Sequence, residues 1–61
     1  MDDKLKREVI HESSEATYAA LRDLYAERGM SEDAAEELAS AAAASAARTV
    51  AVVLSVERPR R

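Results

Sequence analysis

Over residues 4–28, "KLKREVIHESSEATYAALRDLYAER", apolar and small residues recur at helical spacing. Ile10, Ser13, Thr17, Ala20 and Leu24 step by three and four, the rhythm of one helix face. Leu5, Val9, Ala16 and Leu21 flank that seam, while Lys4, Glu8, Glu12, Glu15 and Arg22 fall on the other side. The pattern predicts one amphipathic helix over about 4–28. Asp2 or Asp3 is placed to cap its start and to complement the positive end of the helix dipole.

The next signal is local. In "ERGMSEDAAEEL", Gly29 stands where a helix commonly ends in a left-handed residue, and Met30 can fold back towards Tyr25. Ser31 then has the chemistry of an N-cap, with Glu32 and Asp33 in the first turn of a new helix. A turn at 29–31 is short enough to make the two helices antiparallel neighbours. The second helix is predicted over about 32–57, with Pro59 as its upper limit and a basic tail at 58–61. At 1.5 Å per residue each helix would be about 38 Å long. The competing pattern is a strand at 49–57, where Val50, Val52, Leu54 and Val56 alternate with Ala51, Val53 and Ser55. Nothing between Ala47 and Thr49 supplies a turn to start it, and a lone strand would need pairing from another chain. The expected fold class is therefore all-α: a helix-turn-helix hairpin forming one domain over 1–61.

Two stripes compete on the second helix. Leu38, Ala42, Ser45, Thr49, Val52 and Val56 are spaced four, three, four, three and four. As a seam they would meet Leu5, Val9, Ile10, Ser13, Thr17, Ala20 and Leu24 inside the hairpin. Ala43, Ala47, Val50, Ala51 and Leu54 lie away from that seam, and none is charged. A helix apolar all round is normally buried, so this second stripe is expected to pack against other copies of the chain.

Composition makes such association necessary. Among 61 residues there is no Phe, Trp or Cys, and much of the hydrophobic fraction is alanine. A chain this short struggles to bury a sufficient core without disulfides, a metal or oligomerisation. The expected partners are copies of itself, as a dimer or a larger homo-oligomer. The net charge of −3 argues against nucleic acid, and the "RPRR" tail reads as a solubilising end. "LASAAAASAARTVAVVLSV", from Leu38 to Val56, is long enough to span a membrane. Its Ala and Ser content gives little insertion energy, and Arg48 would sit in the middle where charge is costly. A soluble protein without membrane contact is expected. The charged start "MDDKLKREV" lacks the apolar run of a signal peptide.

Candidate chemistry is sparse. Glu8 and His11, three apart, match the Glu-x-x-His element of di-iron helical bundles. The facing helix offers Arg48 and Thr49 at that level rather than a carboxylate, and the pair is the sole metal candidate. Ser13, Ser14, Thr17, Ser45 and Thr49 concentrate hydroxyls in mid-seam. They would line a small-molecule cavity, set register, or simply bond to backbone carbonyls of their own helices. His11 and Ser14 lack an orienting acid and an oxyanion hole, and one glycine cannot build a phosphate-binding loop. No enzymatic activity and no cofactor are expected.

The compact "RGMSEDAAEEL" connection, matched helix lengths, Ala/Glu/Arg-rich faces, absence of cysteine and single glycine cover most of the chain. In these features it resembles computationally designed, self-assembling helical hairpins. Ser13–Ser14, His11 and the valine-rich end depart from the most idealised of them. The resemblance implies that assembly into a multi-chain helical bundle is itself the function. The alternatives are a metal- or small-molecule-binding bundle and a small natural protein-interaction module.

Overall fold

The computed structural model describes residues 2–56. It contains two helices of equal length, α1 (Asp3–Glu27) and α2 (Glu32–Val56), packed side by side as an antiparallel hairpin. The molecule is a rod, 50 × 16 × 14 Å. Residues 49–56 continue α2 without a break, so the strand alternative does not hold over this span. The basic tail expected at 58–61, and the last predicted helical residue, 57, lie outside the described residues.

Each helix end follows from one or two side chains. Asp2 is extended (φ −82°, ψ 170°), and its Oδ1 accepts the Leu5 amide at 2.8 Å. That bond satisfies one of the amides a helix start leaves unpaired. At the other end of α1, Gly29 adopts φ +92°. The Gly29 amide donates to the Ala26 carbonyl at 3.0 Å and the Met30 amide to the Tyr25 carbonyl at 3.1 Å. This is the paired closure of a glycine-terminated helix. One residue later the Ser31 Oγ accepts the Ala34 amide at 3.3 Å and the Ser31 carbonyl accepts the Ala35 amide at 2.8 Å, which starts α2. The turn thus spends few residues and leaves little freedom in how α2 returns along α1.

The interior is made of alanine. Ala35, Ala39 and Ala43 are the buried residues of α2, and Ala39 has no exposed surface. They repeat every fourth position and form one row along the helix. Ala42, Ala46, Ala47, Val50, Ala51 and Leu54 widen this face and are half-buried. From α1, Val9, Ile10, Ser13, Thr17, Leu21 and Tyr25 are half-buried. Larger side chains of one helix thus lie over a nearly smooth row on the other, which lets the helices approach closely and maximises dispersion contact.

This arrangement corrects the face assigned to α2. Ala43, Ala47, Val50, Ala51 and Leu54, expected between chains, are turned towards α1 inside the hairpin. Of the expected internal seam, Ala42 is half-buried, but Leu38, Ser45, Thr49, Val52 and Val56 are exposed. On α1 the seam residues Val9, Ile10, Ser13 and Thr17 are half-buried as expected, whereas Leu5, Ala20 and Leu24 are exposed. The cause is steric complementarity: α1 already supplies bulk, so the flat alanine row fits it at shorter range than a row of Leu and Val. Continuity from the turn reinforces the choice, because Ala35 lies one turn after the Ser31 cap and the row runs on from it at i+4.

Three substitutions test these points. Ala39→Leu should force the helices apart and destabilise the fold by about 1–3 kcal/mol, while Ala19→Leu, at an exposed site, stays within about 0.5 kcal/mol. Gly29→Ala should lose about 1 kcal/mol through its positive φ, although the added methyl meets no atom within 4 Å. Chemical denaturation followed by circular dichroism at one fixed protein concentration measures all three.

Candidate functional site

The hairpin has two dissimilar sides. On one, Tyr18 of α1 and Asp33, Glu36, Glu37 and Ser40 of α2 border a shallow depression. The Arg22 guanidinium sits over the Tyr18 ring, 5.8 Å from its centre, in cation–π geometry, and also approaches Asp23 at 3.8 Å. Next to the turn a second depression is bordered by Arg22, Asp23, Ala26, Met30, Glu32 and Ala35. Both are open to solvent and bordered by carboxylates.

The other side is apolar. At 100° per residue, Leu24, Ala20 and Leu5 lie on the flank of α1 away from Tyr18, and Leu38 and Val53 on the flank of α2 away from Ser40. Because the helices are antiparallel, these two flanks share one side of the rod. Val52 and Val56 carry the surface round the back of α2. Among the described residues, Leu5, Leu24, Leu38, Val52, Val53 and Val56 are the large hydrophobic side chains left exposed, and Val53 and Val56 show 58% and 66% of their surface. The gaps between them are filled by Ala41, Ser45 and Thr49. This surface, rather than any cavity, is the distinctive feature of the fold. Three-and-four spacing assigns Leu38, Val52 and Val56 of this surface to the interior and leaves Val53 out.

The metal candidates are not brought into a site. Glu8 and His11 are both exposed on α1, and the His11 Nε2 pairs with the Glu15 Oε2 at 3.3 Å, one turn on. Among the described residues no group of three or more His, Asp or Glu side chains is placed to hold a metal ion. The hydroxyl layer is divided as well. Ser13, Ser14 and Thr17 are half-buried on the inner face of α1, whereas Ser45 and Thr49 point outward from α2. Ser55 shows how such hydroxyls are satisfied within a helix: its Oγ donates to the Val52 carbonyl at 2.8 Å. Among the described residues no polar or charged side chain is buried, so the interior offers no desolvated acid, base or nucleophile.

By length and composition α2 is also apolar enough to cross a membrane, and only 11% of the relevant window is buried within the hairpin. No protein-family model, curated protein or solved structure matches the chain. Its reading therefore rests on its own residues. The exposed His11–Glu15 pair should be energetically minor: His11→Ala is expected to change stability by less than about 0.5 kcal/mol in denaturant titrations.

Proposed function

We propose that the chain is a self-associating structural module, a soluble hairpin that builds a homo-oligomeric helical bundle with its own copies. It acts on no substrate, holds no cofactor and binds no nucleic acid. As in the designed hairpins it resembles, assembly is the function.

One observation carries this reading: α2 turns its alanine row towards α1 and leaves Leu38, Val52, Val53 and Val56 outside. A hairpin optimised to stand by itself would bury Leu38, Val52, Val53 and Val56 before Ala35, Ala39 and Ala43, since each larger side chain gains about 1.5–3 kcal/mol on burial. Putting alanine between the helices is favourable when the valine and leucine surface is covered by something else.

A lipid bilayer is the alternative cover, favoured by the length and hydropathy of α2. Against it, Arg48 interrupts the apolar run and α1 brings charged residues along its whole length.

Light scattering over a dilution series should return a discrete multiple of 6.6 kDa, without co-flotation with neutral phosphatidylcholine vesicles. Val53→Glu should weaken association more than tenfold, because a carboxylate would be desolvated without a partner. Glu12→Gln, on an exposed charged position away from both ends of the rod, should leave it unchanged. A monomer that keeps full helicity in dilute buffer would overturn the proposal. Quantitative recovery with vesicles would replace it with membrane binding.

A further inference from the structure

The three-and-four stripe that the hairpin leaves unused is intact on its outside. Leu38, Ala42, Ser45, Thr49, Val52 and Val56 step by four, three, four, three and four over about 27 Å of α2. Ala42 is half-buried at the edge of the inner face, and the other five are exposed. The inner contact keeps a different rhythm, every fourth residue through Ala35, Ala39 and Ala43. An alternating three-and-four repeat averages 3.5 residues per turn, which holds one seam against a second helix over several turns. The pattern thus specifies a helix as the cover, rather than a flat surface.

The residues of this chain narrow which helix that is. The outward positions of α1 include Glu8, Glu12, Asp23 and Glu27, so α1 has no matching seam. From Leu38 to Val56 the only charge on α2 is Arg48, which stands one residue before Thr49 at the rim of the seam, where a charge stays hydrated when two helices pair. Glu57–Arg61, which follow in the sequence, bring four charged residues and a proline and supply no apolar cover. Midway along the seam stand Ser45 and Thr49. Ser55 donates its hydroxyl to the Val52 carbonyl of its own helix, but neither Ser45 nor Thr49 makes a side-chain hydrogen bond among the described residues. Exposed, they are served by water; against a second helix they need another partner. A second copy of the same seam supplies it. In equal register Ser45 meets the partner's Ser45 and Thr49 the partner's Thr49 if the helices run the same way, and Ser45 meets the partner's Thr49 if they run oppositely. A slip of one heptad in either case sets each hydroxyl against an apolar residue and leaves it only the backbone of its own helix. We infer that a second copy of this chain covers the outer face through α2 against α2, with α1 outermost, and that the Ser45 and Thr49 hydroxyls form the polar layer that fixes the register. This rests on the self-association proposed above and names the helix and the residues that direct it.

The chain has no cysteine, so one introduced thiol gives a single labelling site. Ala44→Cys lies on α2 next to Ser45, exposed and about 100° off the seam, and Glu12→Cys is exposed on α1 at a similar level. With nitroxides at these positions, dipolar spectroscopy should give one α2 distance below about 25 Å and an α1 distance at least about 10 Å longer, since the paired α2 helices lie between the labels. Equal distances from the two positions would mean that the hairpins meet side on, and would overturn the α2 seam. The double variant Ser45→Ala/Thr49→Val tests the hydroxyls. It removes both partners of each bond, so the dissociation constant should stay within about threefold of the parent. Its Ala44→Cys distance should split or broaden by about 10 Å, one heptad of slippage. A single distance, unchanged from the parent, would overturn the role in register. Light scattering on the same labelled samples keeps the levels of the argument apart: a monomeric mass for the parent overturns self-association itself, whereas an assembly with the wrong distances overturns only the seam or its register.

Discussion

Close approach of two helices across a row of alanines is the constraint on which the remaining structure depends. Ala35, Ala39 and Ala43 offer no side chain beyond a methyl group, so the spacing between α1 and α2 is set by what α1 places over them. Once that row is inside, the rotation of α2 is fixed and every other residue of the helix has its direction assigned. Leu38, Val52, Val53 and Val56 must then point away, and no rotamer change returns them to the interior. The apolar outer surface is thus a consequence of the interior. A substitution that alters the inner row would be felt on the outer face as well, because the two are opposite sides of one rigid helix.

The turn explains why that rotation is specific. Gly29, Met30 and Ser31 close one helix and open the next with four hydrogen bonds over a few residues. Such a connection holds the phase of α2 relative to α1 from its first turn, and Ala35 is the first residue to feel it. A longer or unstructured loop would let α2 rotate until its larger residues faced α1. Much of the fold's information therefore sits in a short segment that itself buries almost nothing.

Those local signals were the legible part of the sequence. The Asp2 cap, the glycine stop and the Ser31 cap depend on chemistry within a few residues, and all three appear where the residue types place them. The continuation of α2 to Val56 was legible for the same reason, since a strand needs a turn before it and Ala47–Thr49 provides none. The phase of α2 was not legible from periodicity. Its apolar and small residues form two stripes, both at three-and-four spacing, and period alone cannot say which meets α1. The signal that decides lies in size rather than polarity: an uninterrupted alanine row at i+4, opposite a helix bearing Ile10, Leu21 and Tyr25. Both stripes need cover, one from α1 and, in the proposed assembly, one from other copies, and only the size of the facing side chains decides which stripe goes inside. Glu8 and His11 are both exposed on α1, and His11 pairs with Glu15 on the same helix.

Two layers of contact then divide the work between alanine and the branched aliphatics. Alanine is the best helix former and loses no side-chain entropy on burial, so it holds the hairpin together at short range with little to immobilise. It also contributes little transfer free energy, which leaves the hairpin marginal by itself. Valine and leucine carry more area per residue; Val50 and Leu54 lie half-buried against α1, whereas Leu38, Val52, Val53 and Val56 face outward, where burial requires a second surface. In the proposed assembly folding and association would be linked: the covering copy would supply apolar burial that the inner face lacks, and apparent stability would rise with its concentration. The capped turn and the alanine row bias the helices towards the geometry that a second surface would meet, which lowers the ordering cost of association.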